Sequence, residues 1–263
     1  MLIEDGENSR DCGFRKPDAF RCCYSAAVER YPAMMRAPEL GLQEQYVLLA
    51  MDVTFTVDHI AFDTKWVDIG VAATVLFQLW RNGRVSLEEG RVKPRGALYV
   101  GQTDLDALIV RLVQNDPPFE SRGINSWLLR MANAEPHKAV LEGLAHKGIL
   151  SRTKRKYKLV LPEARNRIIE RLQRVIREGD PADEQTAALV GIADASRVLE
   201  TGELSGDSSE QAARVEALGK TVVPVVAAVR TAVSEKKLRD SLTYFYYLGG
   251  GTLVALLVAK CSS

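Results

Sequence analysis

The chain has 263 residues, 46% of them hydrophobic and 26% charged, and its formal net charge is +1. These values are typical of a soluble globular protein with one large domain or two small ones. All four cysteines lie near the two ends of the sequence, at Cys12, Cys22, Cys23 and Cys261. We therefore expect reduced thiols and a core without disulfides, with acylation of the terminal cysteines as a weaker alternative. The N-terminus lacks the apolar segment of a secretory signal.

The first third of the chain predicts an arm followed by two helices. Residues 1–38 mix charges, proline, glycine and serine without a period, so we expect a flexible N-terminal arm. A helix is predicted at Leu40–Asp52, and a polar loop or a short extended segment follows at Val53–Asp63. Val67–Trp80 is nearly free of charge and rich in small residues, which predicts a buried central helix. Gly83 marks the end of that helix and a turn into a strand.

The middle of the chain predicts one hairpin and three further helices. An edge hairpin is expected at Val92–Val100. A helix capped by Thr103 should run to Val113, and a short helix should follow at Ile124–Met131 with its apolar side chains facing inward. Pro136 favours the start of a helix that ends at the turn of Lys147 and Gly148.

Positive charge is concentrated between Lys147 and Arg177. This stretch contains eleven Lys or Arg and two acids, a net charge of +9 in a chain of +1. Its pattern predicts two short strands, paired as a hairpin over residues 152–158, and then a basic helix. Such a polarised field attracts an anionic surface or a polyanion without specifying which.

The remaining elements complete a helix-rich domain. Helices are predicted at Asp183–Thr201, Glu210–Leu218 and Val222–Val233, and Pro224 is tolerated in the first turn of the last one. The predicted fold class is mainly α. We expect a single α-rich domain over residues 39–235, built around a central hydrophobic helix with small β-hairpins.

Residues 236–263 form an apolar C-terminal tail. Tyr244–Ala259 is a run of sixteen uncharged residues, whereas a membrane-spanning helix needs about 20 apolar residues. Three successive glycines also lower its helix propensity. Three alternatives stay open for the tail: a membrane segment, packing against the domain, or an exposed end.

The sequence contains no recognisable catalytic motif. Its three histidines, His59, His137 and His146, lack zinc-ligand spacing with Cys or with one another. Nucleotide-binding loops and hydrolase motifs are absent from it. We therefore predict that the protein is not an enzyme and has no cofactor or metal, and we place His146 at a solvated helix end.

The basic hairpin leaves several functions open. A helix, a turn and a basic hairpin are similar to the second half of a winged helix, so nucleic acid or a protein partner is one alternative. The helix before the hairpin, His137–Lys147, has no Arg, Asn or Gln to read bases, which argues against nucleic acid. A second alternative is that the hairpin binds an anionic membrane, with Tyr157 and Leu159 inserting into the headgroup region between the flanking Lys and Arg side chains. The hairpin could also be solvated, with its apolar residues packed on the domain.

Four segments, in this order, resemble the sequence pattern of the Golgi phosphoprotein 3 (GPP34) family. They are Leu40–Asp52 (LGLQEQYVLLAMD), Gly70–Val85 (GVAATVLFQLWRNGRV), Ala139–Leu150 (AVLEGLAHKGIL, followed by the basic hairpin) and Thr186–Leu199 (TAALVGIADASRVL). The resemblance covers about residues 38–234. It implies an α-rich single domain that binds phosphatidylinositol 4-phosphate peripherally on Golgi membranes, aided by a hairpin that inserts its tip. For a eukaryotic member it also implies recruitment of glycosyltransferase tails and coatomer. A bacterial member would lie in the cytoplasm or on the inner membrane face.

The family's headgroup pocket, one Trp and three Arg, is only partly matched. Alignment to the family pattern puts Ala72, Ala134 and His137 at the arginine positions and Asp63 at the tryptophan position, three residues before Trp66. The resemblance therefore implies a degenerate pocket bordered by Trp66, His137 and Lys138. The other cations expected to contact lipid headgroups are those of the hairpin: Arg152, Lys154, Arg155, Lys156 and Lys158.

Overall fold

The computed structural model of the protein describes residues 39–51, 64–114, 123–153, 156–200, 204, 208–220 and 222–247. Contacts divide the chain into residues 1–39 and residues 40–263, and every element below belongs to the second unit. The predicted arm at 1–38, the loop at Val53–Asp63 and most of the apolar tail lie outside the described residues.

The described residues are mostly helical. The α-helices are α1 (Leu42–Ala50), α2 (Thr64–Arg81), α3 (Thr103–Gln114), α4 (Ile124–Asn133), α5 (Pro136–His146), α6 (Pro162–Gln173), α7 (Glu184–Ala195), α8 (Ser209–Lys220) and α9 (Val223–Tyr247). A π-helical turn at Arg174–Glu178 extends α6, and a 3₁₀ turn at Val198–Glu200 follows α7. This confirms the mainly α fold class.

Among the described residues, two small antiparallel hairpins accompany the helices. Strands β1 (Val85–Glu88) and β2 (Arg91–Pro94) pair with each other, and so do β3 (Leu150–Thr153) and β4 (Lys156–Leu159). The β3–β4 hairpin is the predicted basic hairpin. It connects α5 to α6, after a turn in which Gly148 adopts a φ of +70°.

Helix α2 is the centre of the domain, as the uncharged stretch at Val67–Trp80 predicts. It packs against α1, α4, α5, α7 and α9. Gly70 of α2 lets α1 approach closely, because a Cβ built on it would lie 1.9 Å from the hydroxyl oxygen of Tyr46. That hydroxyl is hydrogen-bonded to Ser196 Oγ at 2.8 Å, just past the end of α7, so Tyr46 links three helices.

Helix α1 is buried on every side, although three of its residues are polar. Gln43, Glu44 and Gln45 are all buried. Gln43 Nε2 donates to Gln78 Oε1 on α2 at 2.5 Å. Buried polar groups are costly without such partners, and distant parts of the chain supply them here.

The predicted hairpin at Val92–Val100 is wrong, because the strands lie earlier, at 85–94. The turn is formed by Glu89 and Gly90, with φ of +53° and +72°. Both values are positive, as a two-residue hairpin turn requires. Residues 95–100 form no strand.

The ends of two predicted helices also differ from the structure. Helix α7 begins after Asp183, whose carboxylate accepts a hydrogen bond from Thr186 N at 2.6 Å, but it ends at Ala195 rather than Thr201. Arg197 adopts a φ of +65°, which no α-helix continues through. Helix α9 runs past the predicted Val233 to Tyr247, so the helix includes the first residues of the tail. Residues 248–263 lie outside the described part.

Candidate functional site

Three cations of the basic stretch contact polar groups of α1 and its C-terminal end. Arg165 is buried, and its guanidinium donates to the Leu48 and Met51 carbonyls at 3.2 and 3.4 Å, which caps the end of α1. Lys147 Nζ lies 2.7 Å from Glu44 Oε2, and Arg171 Nη2 donates to Gln45 Oε1 at 2.6 Å. The net charge of +9 therefore overstates the charge available for a ligand.

The inner face of the hairpin is also neutralised. Arg152 forms an ion pair with Glu142 of α5. The Tyr157 hydroxyl donates to the same carboxylate at 2.5 Å, and the Arg152 guanidinium lies 5.9 Å from the Tyr157 ring centre. Burial, and then the contact with the Glu142 carboxylate, raise the pKa of Tyr157 to about 12. Glu142 thus fixes two hairpin side chains, including one of the predicted headgroup cations.

Leu159 does not lie at the hairpin tip. It pairs with Leu150 at the base of the hairpin, and both are buried in the hydrophobic core. Tyr157 is half-buried and directed to Glu142. Lys154 and Arg155, which lie between β3 and β4 in the sequence, are outside the described residues. Leu159 contributes to folding, and its alternation with charged neighbours reflects the two faces of a strand.

The outer face of the hairpin is exposed and basic. Ser151 pairs with Lys158, and Thr153 pairs with Lys156. Ser151, Thr153 and Lys158 are all exposed, and the register places Lys156 on the same face. Among the described hairpin residues this face carries no carboxylate. Val160, directly after β4, is 48% exposed. This face combines cations, hydroxyls and a neighbouring apolar side chain.

His137, which the resemblance aligns with an arginine of the headgroup pocket, lies against a carboxylate. Its Nδ1 is 2.6 Å from Asp68 Oδ1, and its backbone N–H donates to the same oxygen at 3.1 Å. Both residues are buried. The Asp68 carboxylate therefore occupies the N-terminus of α5, where the helix dipole favours an anion. Sequence reasoning missed Asp68, and its only signal was an acid inside a nearly uncharged helix.

The two other residues of the predicted pocket have different surroundings. Lys138 is exposed and paired with Glu135, and this contact is the main cause that lowers the pKa of Glu135. Trp66 is half-buried, and the guanidinium of Arg197 lies 5.5 Å from its ring centre. Sequence reasoning did not single out Arg197. Its position after α7 gave no signal, because the contact with Trp66 joins residues far apart in the chain.

The family model of Golgi phosphoprotein 3 (GPP34) matches residues 42–236. The chain belongs to this family. Membership suggests a Golgi-related function. GPP34 is not known as a family of enzymes. Among curated proteins, none matches the chain significantly in sequence.

This GPP34 chain lacks a guanidinium at two positions where the resemblance implies one. Ala72 is a fully buried residue of α2, and Ala134 caps the C-terminal end of α4. Together with the Asp68–His137 contact, these substitutions leave the predicted pocket less positive than the family pattern. Among the described residues, Arg197 is the guanidinium that contacts Trp66.

The winged-helix alternative finds little support on α5 of this GPP34 domain. Two exposed basic side chains of this helix lie beside acids: Lys138 is paired with Glu135, and His146 Nδ1 lies 3.9 Å from Asp104 Oδ2. His146 is exposed at the last residue of α5, as predicted. A helix whose cations face carboxylates is a poor phosphate or base reader.

A second basic hairpin, β1–β2, is partly compensated within itself. Glu88 contacts Lys93 at 2.9 Å and Arg95 at 2.8 Å. These two cations, Lys93 first, lower the pKa of Glu88 to about 2. This hairpin therefore lacks the acid-free face that distinguishes β3–β4.

Within the described residues, no group of three or more His, Cys, Asp or Glu side chains could hold a metal ion. In the same part of the chain no single helix is long and apolar enough to cross a membrane. One bent pair of helices reaches the length and apolar composition of a membrane-spanning segment. The pair consists of α8 and Val223–Glu235, which meet at an angle of 112°.

Proposed function

We propose that this GPP34 protein is a peripheral membrane protein that binds anionic phospholipid through the outer face of the β3–β4 hairpin. The observation that supports this most is the separation of charge between the two faces. Arg152 on the inner face is held by Glu142, whereas Lys158 and Lys156 lie on an outer face without a described acid.

The chemistry of the outer face suits a headgroup region. A basic residue near an anionic membrane gains about 1 kcal/mol, so the lysines supply affinity that depends on lipid charge. Long Lys side chains can place the ammonium among phosphates while their methylene groups cover apolar surface. The exposed Val160 next to them adds apolar area that would be buried in the interface. In the sequence, Lys154 and Arg155 lie between the two strands and add two positive charges.

The more specific part of the proposal is the lipid and the cellular role. The family resemblance implies phosphatidylinositol 4-phosphate as the headgroup, with Trp66, His137 and Lys138 bordering its pocket. It also implies an adaptor role in Golgi trafficking or in retention of glycosyltransferases, through their cytoplasmic tails or through coatomer. These partners rest on resemblance alone, whereas the charged hairpin face rests on geometry as well.

Co-sedimentation of the full chain with vesicles tests the proposal. Neutral phosphatidylcholine vesicles are compared with vesicles that contain phosphatidylserine or phosphatidylinositol 4-phosphate at matched surface charge. We expect binding to both anionic types, weakened by salt, and no binding to neutral vesicles. Equal sedimentation with neutral vesicles would contradict a charge-based mode, and sedimentation with none would refute the proposal.

A further inference from the structure

The outer face of the β1–β2 hairpin carries positive charge that the proposed function does not use. Alternate residues of a strand share a face, and the register places four cations and one carboxylate on this one. The Arg95 N–H donates to the Arg84 carbonyl at 2.7 Å, which extends the ladder by one pair beyond the strands. The charged residues of this face, with a net charge of +3, are Arg84, Glu88, Arg91, Lys93 and Arg95.

The inner face of the same hairpin fixes it on the domain. Val85 and Val92 are buried in the hydrophobic core. The Ile124 N–H, at the start of α4, donates to the Gly90 carbonyl at 2.9 Å, which holds the turn of the hairpin. The outer cations therefore stand on a supported backbone, and this lowers the entropic cost of binding a ligand over them.

The one carboxylate of this face does not reach all of its cations. Glu88 contacts Lys93 and Arg95, at 2.9 and 2.8 Å, although Arg91 is its direct partner across the ladder. Within the part of the chain that the structure describes, Arg84 and Arg91 form no ion pair. Arg84 and Arg95 also lie directly opposite each other, where like charges destabilise a hairpin. An anion bound over this face would relieve that repulsion.

An exposed tyrosine adjoins these cations. The Arg84 guanidinium carbon lies 4.5 Å from the ring centre of Tyr99, and the guanidinium also donates to the Tyr99 hydroxyl. Tyr99 is 47% exposed. The ring holds the guanidinium in one orientation. Tyr and Arg side chains together are typical of the residues that contribute most to protein–protein binding.

An acidic peptide fits this face better than a membrane or a nucleic acid. The turn is Glu89–Gly90, so an acid rather than an apolar residue would meet a membrane first. Glu88 lies among the cations, where a continuous phosphate backbone would meet its carboxylate, whereas a peptide can place a neutral residue there. Along β2 the cations Arg91, Lys93 and Arg95 recur about 7 Å apart, which is also the spacing of alternate side chains in an extended peptide.

We propose that the outer face of β1–β2, together with Tyr99, is a docking surface for an extended acidic segment of a partner protein. Arg84 and Arg91 bind its carboxylates, and a guanidinium suits this role because it can donate two parallel hydrogen bonds to one carboxylate. Tyr99 packs against a neighbouring side chain of the segment. This inference goes beyond the proposed function and does not depend on it, because the membrane is bound through the other hairpin.

Two matched double substitutions separate this face from the net charge of the protein. Arg84→Gln/Arg91→Gln removes two charges from the docking surface. Arg167→Gln/Arg174→Gln is the control, because it removes the same two charges from exposed arginines of α6 and of the π-helical turn that extends it. Tyr99→Ala removes the ring and keeps every charge. All variants are made in the full chain, and circular dichroism establishes that they are folded.

The probe is a fluorescently labelled peptide of alternating Glu and Thr, titrated with the protein at physiological salt and followed by fluorescence anisotropy. A peptide of alternating Gln and Thr is its neutral counterpart. We expect Arg84→Gln/Arg91→Gln to bind the acidic peptide about tenfold more weakly, as the loss of two exposed charged contacts predicts. Tyr99→Ala should weaken binding about threefold through loss of the cation–aromatic contact. The control double variant should bind like the wild type, and no variant should bind the neutral peptide.

Several results would overturn the docking surface. They are a folded wild-type chain that does not bind the acidic peptide, equal weakening by the two double variants, and equal binding of the neutral peptide. A single-stranded oligonucleotide that binds the wild type more tightly than the peptide does, and loses that affinity in Arg84→Gln/Arg91→Gln, would assign the face to nucleic acid instead.

Vesicle binding distinguishes this inference from the proposed function. Arg84→Gln/Arg91→Gln should sediment with phosphatidylserine vesicles as the wild type does. If it loses vesicle binding while the wild type ignores the acidic peptide, the face is a lipid contact and the docking surface is overturned. If the wild type binds the peptide through Arg84 and Arg91 but sediments with no vesicle, the docking surface stands and only the proposed function fails.

Discussion

Substitution of Glu142 changes the charge of the β3–β4 hairpin surface without changing the hairpin itself, because this residue of α5 contacts two hairpin side chains. Its carboxylate holds Arg152 and accepts the Tyr157 hydroxyl, and its side chain is 29% exposed. Glu142→Gln keeps the size and an acceptor oxygen for Tyr157 but releases the charge of Arg152. The hairpin then gains one unit of positive charge without any change in its own sequence.

The expected effect follows from that single charge. One additional cation near an anionic surface contributes about 1 kcal/mol, which corresponds to about fivefold tighter binding. The loss in folding free energy should be small, from about 0 to 1 kcal/mol, because Arg152 is 55% exposed and such pairs contribute little. Vesicle co-sedimentation with phosphatidylserine vesicles measures the gain, and urea unfolding measures the loss.

The matched control is Glu216→Gln on α8, which removes an equal charge from a pair with Lys220 in which both partners are exposed. A rise in affinity for Glu142→Gln but not for Glu216→Gln would support a hairpin contact. Equal changes in the two variants would mean that only the net charge of the protein matters, and a fall for Glu142→Gln would refute the assignment of the hairpin as the membrane-binding surface.

Three further outcomes follow from the fold. Gly70→Ala should lower the free energy of unfolding, measured by urea denaturation, by about 3 kcal/mol, because the new Cβ would clash with the buried Tyr46 side chain. Gly143→Ala in α5 is the control, because its Cβ would meet nothing closer than 3.8 Å. It should raise the free energy of unfolding by about 0.5–1 kcal/mol. Asp183→Ala should cost about 1 kcal/mol in the same assay through loss of the α7 cap. Burial raises the pKa of both Tyr46 and Tyr157, the latter to about 12. The stability that these two neutral phenols contribute is therefore fully present below about pH 10 and is lost as the pH rises above it. A thermal unfolding midpoint that stayed constant from about pH 10 to 12 would contradict this.

The central helix could be predicted because its signal is local. Val67–Trp80 carries almost no charge, and the structure places it as α2, Thr64–Arg81, at the centre of the domain. The basic hairpin and its Gly148 turn were predictable for the same reason. A run of apolar or basic residues is visible in the sequence itself, and no distant partner is needed to interpret it.

The first hairpin was misplaced because its turn has weak sequence chemistry. Two-residue hairpin turns favour Asn-Gly or Asp-Gly, and this one is Glu89–Gly90. Glutamate rarely adopts a positive φ, so the dipeptide gave little indication of a turn. Once that turn was missed, the strand pattern was assigned too late in the chain.

The sequence predicted which cations belong to the candidate site, but it did not predict which carboxylates they contact. Which positive charges remain available depends on their partners in the fold, since Glu44 on α1 contacts Lys147 and Glu142 on α5 contacts Arg152. The contact of Arg197 with Trp66 joins α7 to α2 across the fold. One-dimensional charge counting cannot separate a cation that caps a helix from one that meets solvent.

The most direct test of the hairpin mode is charge reversal on its outer face. The full chain and its Lys156→Glu/Lys158→Glu variant are compared by co-sedimentation with phosphatidylserine vesicles at physiological salt, with circular dichroism to establish that both are folded. The proposed function predicts that the wild-type chain sediments with these vesicles and that the folded variant stays in the supernatant. A folded variant that sediments as completely as the wild type would contradict it.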